Sequence, residues 1–270
     1  MIHPTAIVSP KAELGSGVRI GAYCVVDEAR IGDDTVLEPY SRVCSYVEMG
    51  KGNQVHSHAV IGGDPQDHGY RGEKSFARIG DGNIFREYVT VNRATGEGYS
   101  TSIGNDCLLM EGVHVGHNAD IKNKVTIANK VGISGFVQID DYTVIGGIVG
   151  IHQFVRIGSY CMVGGMYKVV KDIPHFTLAA GEPLRLKGLN VIGLRRANFS
   201  SDLRKKIKAL YRELYDKSKM FSSSLENQRA KLGSSGDTPL ELIKILDFYK
   251  DSKRGITFWG GKSSSNSSDD

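Results

Sequence analysis

Residues 109–133 read LMEGVHVGHNADIKNKVTIANKVGI, with Leu109, Val115, Ile121, Ile127 and Ile133 six residues apart. Internal periods decide a fold before any local propensity does. This one extends back to Ile103 and forward through Ile139, Ile145, Ile151, Ile157, Val163 and Val169, so twelve consecutive positions are aliphatic. Upstream the same step links Ile2, Val8, Leu14, Ile20 and Val26. It loses one residue and resumes through Ile31, Leu37, Val43, Met49, Val55 and Ile61. A third piece holds Ile79, Phe85 and Val91. The residue after each aliphatic is often small or turn-forming, as at Gly104, Gly116 and Gly146. The fourth residue after it is often β-branched or small: Val113, Val125, Val131, Val137. Cys24, Cys107 and Cys161 share that place and therefore belong to the core. Six residues thus make one short strand and one corner, and three such sides close a triangular coil of eighteen. Coils would stack about 4.8 Å apart through parallel ladders. The period predicts a mainly β chain, a parallel β-helix of hexapeptide repeats over residues 1–188. An antiparallel sandwich would show turn signals every 8–12 residues instead.

Two polar, glycine-containing segments break the period, at 62–78 and 92–102, and read as excursions from the coil. Long irregular loops on a rigid scaffold often bind ligands. After Val169 the period fades. Leu203, Ile207, Leu210, Tyr211 and Leu214 then fall on one helical face. Thr238, Pro239 and Glu241 read as N-cap, first helical residue and capping-box partner of a further helix. Ser223 and Glu226 give the same spacing for a short helix over 223–232. Residues 189–258 are therefore expected to form a C-terminal α-helical domain, and the serine-rich 259–270 a disordered tail. Arg195, Arg196, Arg204, Lys205, Lys206, Lys208 and Arg212 give this region a positive face that suits an acidic partner.

The formal net charge of +4 over 270 residues does not favour nucleic acid. The opening MIHPTAIVSPKAEL lacks the pattern of a signal peptide, and no stretch is apolar enough for a membrane span, which points to the cytoplasm. The four cysteines, Cys44 among them, form no CxxC pair and read as reduced.

The register places the histidines. His117 lies two residues beyond the inward Val115, at a corner, and its column continues through Gly135, Gln153 and Lys171. His114 is also not an inward position. His152 stands where the repeat usually has glycine or another small residue. These positions leave exposed surface, metal ligand or active site open. Zinc held across a subunit boundary, as in gamma-class carbonic anhydrases, is compatible with the His114–His117 spacing, although nothing completes a ligand set. His56 and His58 are weak signals, and His3, His68 and His175 say nothing alone.

Several stretches occur in one order: PQDHGYRGEK, NIFREYVTVNRAT, HVGHN, GIHQFVRIGSYCMVGG and GLNVIGLRRANF. Together with the hexapeptide body and the C-terminal helices, over residues 2–258, they resemble the UDP-N-acetylglucosamine O-acyltransferase family of lipid A biosynthesis. The sister N-acyltransferases would carry an extra N-terminal domain, whereas here the repeat starts at Ile2. The resemblance implies a left-handed β-helix, a homotrimer with active sites between subunits, and no cofactor or metal. It implies transfer of an (R)-3-hydroxyacyl group from acyl carrier protein to the 3-position of the sugar nucleotide. His117 matches the general base, and a neutral imidazole suits that role because the ordinary histidine pKa is about 6.5. Gly135 matches the residue whose backbone N–H stabilises the oxyanion. Gln66 and Asp67 would touch the sugar. His114, His152 and Gln153 would line the cleft, and Asn190 and Arg196 would contact the nucleotide. Gly165 matches the position that measures the acyl chain, with Met166 beside it. The chain departs from the family where Asn118 replaces a common Asp, Gly69 a Lys, Asn92 and Phe136 two histidines, and Ile192 a nucleotide-binding Glu. These departures leave a 3-amino analogue of the sugar open as the acceptor.

Overall fold

The computed structural model describes residues 1–216, 218–233, 238–250 and 252–260. In it the six-residue period becomes a run of strands, most only two residues long, arranged as three parallel sheets. The first sheet has nine strands, from Ile7–Val8 to Lys168–Val169. The second has eight, from Glu13–Leu14 to Arg156–Ile157. The third has ten, from Arg19–Ile20 to Arg185–Leu189. Consecutive strands move from sheet to sheet, so each strand pairs with the one a full coil away. Val115 thus pairs with Ile133, Ile133 with Ile151, and Ile151 with Val169. The fold is a parallel β-helix followed by helices.

In all but the first two strands the periodic aliphatic or aromatic residue points inward and is buried, and in most so is the residue four places on. Cys24, Cys107 and Cys161 sit in that core as free thiols, while Cys44 is partly exposed. Burial pushes the Cys107 thiol up to about 11 and the Cys161 thiol up to about 12, which makes both poor nucleophiles. The corners have a different chemistry from the one expected of their glycines. The left-handed residue is the third after the aliphatic: Asn118 at φ 58°, Phe136 at 59°, Tyr142 at 58° and Phe154 at 68°. Gly116 and Gly146 are small because the next coil approaches. A Cβ on Gly116 would lie 2.8 Å from the Ile133 carbonyl oxygen, and one on Gly146 would lie 2.5 Å from the Gly165 nitrogen.

The irregular excursions are shorter than the loss of period suggested. Strands Val60–Gly63, Phe76–Ile79, Thr90–Asn92 and Ser100–Ile103 claim their ends and leave segments 64–75 and 93–99. At the far end Thr177–Ala180 extends the third sheet, and Arg185–Leu189 pairs with it antiparallel, so Leu189 is still strand.

Four helices follow: α1 Val191–Arg196, α2 Ser201–Leu214, α3 Phe221–Gly233 and α4 Leu240–Phe248. In α2, capped by Ser200, Ile207, Leu210, Tyr211 and Leu214 are buried on the expected face. Helix α3 begins at Phe221, which puts Ser223 inside the helix and not at its cap. Helix α4 starts one residue later than its capping signals implied. Pro239 is the N-cap, and the Thr238 hydroxyl donates to the Leu232 carbonyl (2.8 Å). The chain then returns to the β-helix through bridges Asp172–Ile256 and Leu186–Trp259. Trp259 packs on Tyr211 and Tyr215, with ring centroids 5.4 and 5.1 Å away, so it does not belong to a disordered tail. Residues 261–270 of that expected tail lie outside the described residues. Among the described residues no helix is long and apolar enough to cross a membrane.

Candidate active site

The corner between the first and second sheets carries His117. Strand His114–Val115 ends with Val115 in the core, and Gly116, His117 and Asn118 turn the chain. Asn118 adopts the left-handed conformation that Asn tolerates better than most residues. His117 is only 9% exposed, so it is neither a core residue nor a surface one; it faces outward and is roofed. Part of the roof is segment 93–99. Thr95 donates from its N–H to Asn118 Oδ1 (3.0 Å), and Asn118 Nδ2 donates to the Thr95 carbonyl (3.1 Å). His117 Nδ1 lies 2.9 Å from the same Oδ1 and 3.3 Å from Thr95 Oγ1.

One coil along, Gly135 lies directly against the imidazole. A Cβ there would sit 2.6 Å from His117 Nε2, so any side chain would displace the ring. The Gly135 N–H donates to nothing among the described residues. Several equivalent N–H groups at the corner between the second and third sheets are capped by side chains of the next coil. Asn105 N–H meets Asn123 Oδ1 (2.9 Å), Asn123 N–H meets Asp141 Oδ1 (2.9 Å), and Ser159 N–H meets His175 Nδ1 (2.8 Å). An uncapped N–H next to an imidazole can bind an oxygen that acquires negative charge.

These groups open on a cleft of about 620 Å³. Gln66, His114, His117, Gly135, His152 and Gln153 line it, so the structure brings six of the expected residues together. Asp67 reaches its edge. The Asp67 Oδ2 is 3.9 Å from His117 Nε2, too far for a hydrogen bond, and its Oδ1 accepts from the Gly69 N–H (2.8 Å). His114 shares a hydrogen bond with Thr90 Oγ1 (2.8 Å). Burial, and then the neighbouring His117, hold the His114 ring below the ordinary histidine range, so it is neutral near neutral pH. Asn92, one of the departures, also lines the cleft; it donates to the Asp64 carbonyl (2.6 Å), and its Oδ1 is buried without a donor. Lys168 and Thr95 were missed by reading the sequence. Lys168 was accessible in principle, being three coils on from His114 in one column with Gly132 and Gly150. Thr95 carried no signal, because the aperiodic segment gave no way to place it.

Residues 172–257 match the family model "Udp N-acetylglucosamine O-acyltransferase; Domain 2". An acyl-[acyl-carrier-protein]–UDP-N-acetylglucosamine O-acyltransferase of Thermodesulfovibrio yellowstonii is 40% identical over 258 residues, covering 94% of this chain and 98% of that protein. The enzyme of the same description from Syntrophobacter fumaroxidans is 39% identical over equal shares. The crystal structure of a UDP-N-acetylglucosamine acyltransferase from Bacteroides fragilis superposes with a TM-score of 0.89 at 39% identity, over 95% of this chain and 99% of that one. The chain belongs to this family of O-acyltransferases.

The other expected residues lie apart from the cleft. Gly165 and Met166 turn the corner between the third and first sheets, a different edge of the prism from His117, and Met166 is exposed. Asn190 is engaged structurally: it caps α1 by accepting from the Gly193 N–H (3.1 Å) and donates to the Tyr160 carbonyl (2.9 Å). Arg196 and Ile192 are exposed on α1. None of these lines the cleft of the same chain. Among the described residues no group of three or more His, Cys, Asp or Glu side chains is placed to hold a metal ion.

Proposed function

We propose that the cleft transfers an (R)-3-hydroxyacyl chain from acyl carrier protein to the 3-hydroxyl of UDP-N-acetylglucosamine, the acylation that begins lipid A assembly. The observation that carries this reading is the His117–Gly135 pair: a roofed imidazole lying on a glycine whose N–H is uncapped. His117 Nε2 takes the hydroxyl proton as that oxygen attacks the thioester carbon. The Gly135 N–H receives the developing oxyanion. When the tetrahedral intermediate collapses, the C–S bond breaks and the imidazolium returns its proton to the departing thiolate. No covalent enzyme intermediate is needed, and the buried cysteines supply no nucleophile.

In this reading Gln66, Asp67, His114, His152 and Gln153 hold the sugar. Asn190, Arg196, Gly165 and Met166 act from a neighbouring copy in a homotrimer, which accounts for their distance from the cleft of their own chain. Both substrates are soluble, which suits a cytoplasmic enzyme. Purified protein given acyl carrier proteins of several chain lengths and both sugar nucleotides in competition tests the reading. Ester formation that His117→Ala abolishes while assembly is retained supports it. Transfer undiminished in that variant sinks the assignment of the base.

A further inference from the structure

The backbone of Thr95 settles which nitrogen of His117 carries the proton. An asparagine amide can be placed two ways round, and an imidazole can hold its proton on either nitrogen. Backbone groups have no such freedom. The end of the Asn118 amide that meets the Thr95 N–H at 3.0 Å must be the oxygen. The end that meets the Thr95 carbonyl at 3.1 Å must be the NH₂. The oxygen so placed is the atom 2.9 Å from His117 Nδ1, and it can only accept. The Thr95 hydroxyl, 2.9 Å from that oxygen, must likewise donate to it. His117 Nδ1 therefore bears the hydrogen, and Nε2 presents a lone pair toward Gly135 and the cleft.

We infer that Thr95 is a positioning residue: its backbone orients the Asn118 amide, and the amide fixes the proton of His117 on Nδ1. The inference rests on the reading of His117 as the base, which must offer an unprotonated Nε2. It also explains Asn118. A carboxylate at this position would direct an oxygen at the Thr95 carbonyl 3.1 Å away and lose the donor that holds segment 93–99. The amide is thus the group that this segment requires. The segment is braced from its other side as well. The Gly96 N–H donates to Glu73 Oε1 (2.9 Å), and the Lys74 N–H to Glu97 Oε2 (3.0 Å), so the excursion that carries Gln66 and Asp67 is tied to the one that orients the base.

The test uses the full-length protein with ¹⁵N-labelled histidine, in which two-bond proton–nitrogen correlations report each imidazole tautomer. Wild-type His117 is expected with its hydrogen on Nδ1; a hydrogen on Nε2 would overturn the inference. Thr95→Pro, which removes the N–H, should move the proton toward Nε2, and Thr95→Ser should restore the wild-type pattern. Asn118→Asp should lower kcat about 10–100-fold with little change in KM for either substrate, although it brings a negative charge to the imidazole. The tautomer should survive in Asn118→Asp, because a carboxylate also only accepts; an Asn118→Asp enzyme as active as wild type would refute the need for an amide there. His117→Ala separates this from the underlying reading: persistent transfer there removes the base itself, whatever the tautomer.

Discussion

Two corners of the same prism solve one problem in opposite ways. Between the second and third sheets, the N–H groups of Asn105, Asn123 and Ser159 are taken by side chains from the next coil, those of Asn123, Asp141 and His175. Between the first and second sheets, the corresponding place above His117 is Gly135, which has no side chain to offer, and whose own N–H has no partner among the described residues. The two histidines end up as mirror images in proton placement. His175 Nδ1 accepts from the Ser159 N–H, so it cannot carry a hydrogen, and its 3.9 Å approach to Asp140 is no ion pair. His117 Nδ1 faces an acceptor and is the donor. Each ring is about nine-tenths buried, so burial does not distinguish them. The partner of Nδ1 does: it makes one ring a strut and leaves the other a lone pair facing a cleft.

The comparison can be broken in several ways. Replacing His117 with Ala should lower kcat/KM by about 10²–10⁴-fold, with the thermal midpoint unchanged, as read by product formation and calorimetry. At the other corner the expected consequence is stability, not rate. Burial first, then Lys244 and Arg156, bring His175 from 6.5 down to about 4. Below its unfolded pKa the unfolded chain binds a proton that the folded chain refuses. Stability should therefore fall as pH drops from 6.5 to about 4, by up to about 3 kcal/mol, and level off beneath that. Burial raises Asp140 and Asp172, whose slopes have the opposite sign. The difference between wild type and His175→Gln in denaturant melts across that range isolates the histidine. Gly135→Ala should cost about 10²-fold in kcat by pushing the imidazole aside, whereas a similar loss of stability would show that the glycine is only structural. The smallest effect expected is that of Tyr211→Phe, which removes the hydroxyl that donates to the His175 carbonyl (2.6 Å). It should lower stability by about 1–2 kcal/mol and leave kcat untouched.

Much of this was legible in the sequence because the β-helix turns spacing into position. A residue's place in the six-residue step determines whether it is inward, corner or outward, so Val115 could be assigned to the core and His117 to a corner without coordinates. The eighteen-residue column likewise put Gly135 next to His117. What stayed hidden lies where that rule lapses. Thr95 comes from a segment with no period, and its position depends on hydrogen bonds that join two irregular loops. His175 said nothing alone because the repeat had faded before it, yet it caps the Ser159 N–H as Asn123 caps Asn105. The corner glycines show a related limit: a sequence shows that a residue is small, and only the neighbouring coil shows that the pressure comes from backbone approach, with the left-handed φ two residues further on.

The close seating of Gly116 and Gly146 against the next coil has a consequence for how such a molecule can change. Adjacent coils are indexed like meshed teeth, unable to slide by a fraction of a step. Extending the wall therefore proceeds in whole sides of six residues, and three sides add about 4.8 Å. A six-residue insertion between His117 and Gly135 would keep every hydrophobic residue inward, yet would carry Gly135 to the next edge of the triangle. Such a chain should fold well and have no chemistry, because the core counts in sixes while the site counts in eighteens.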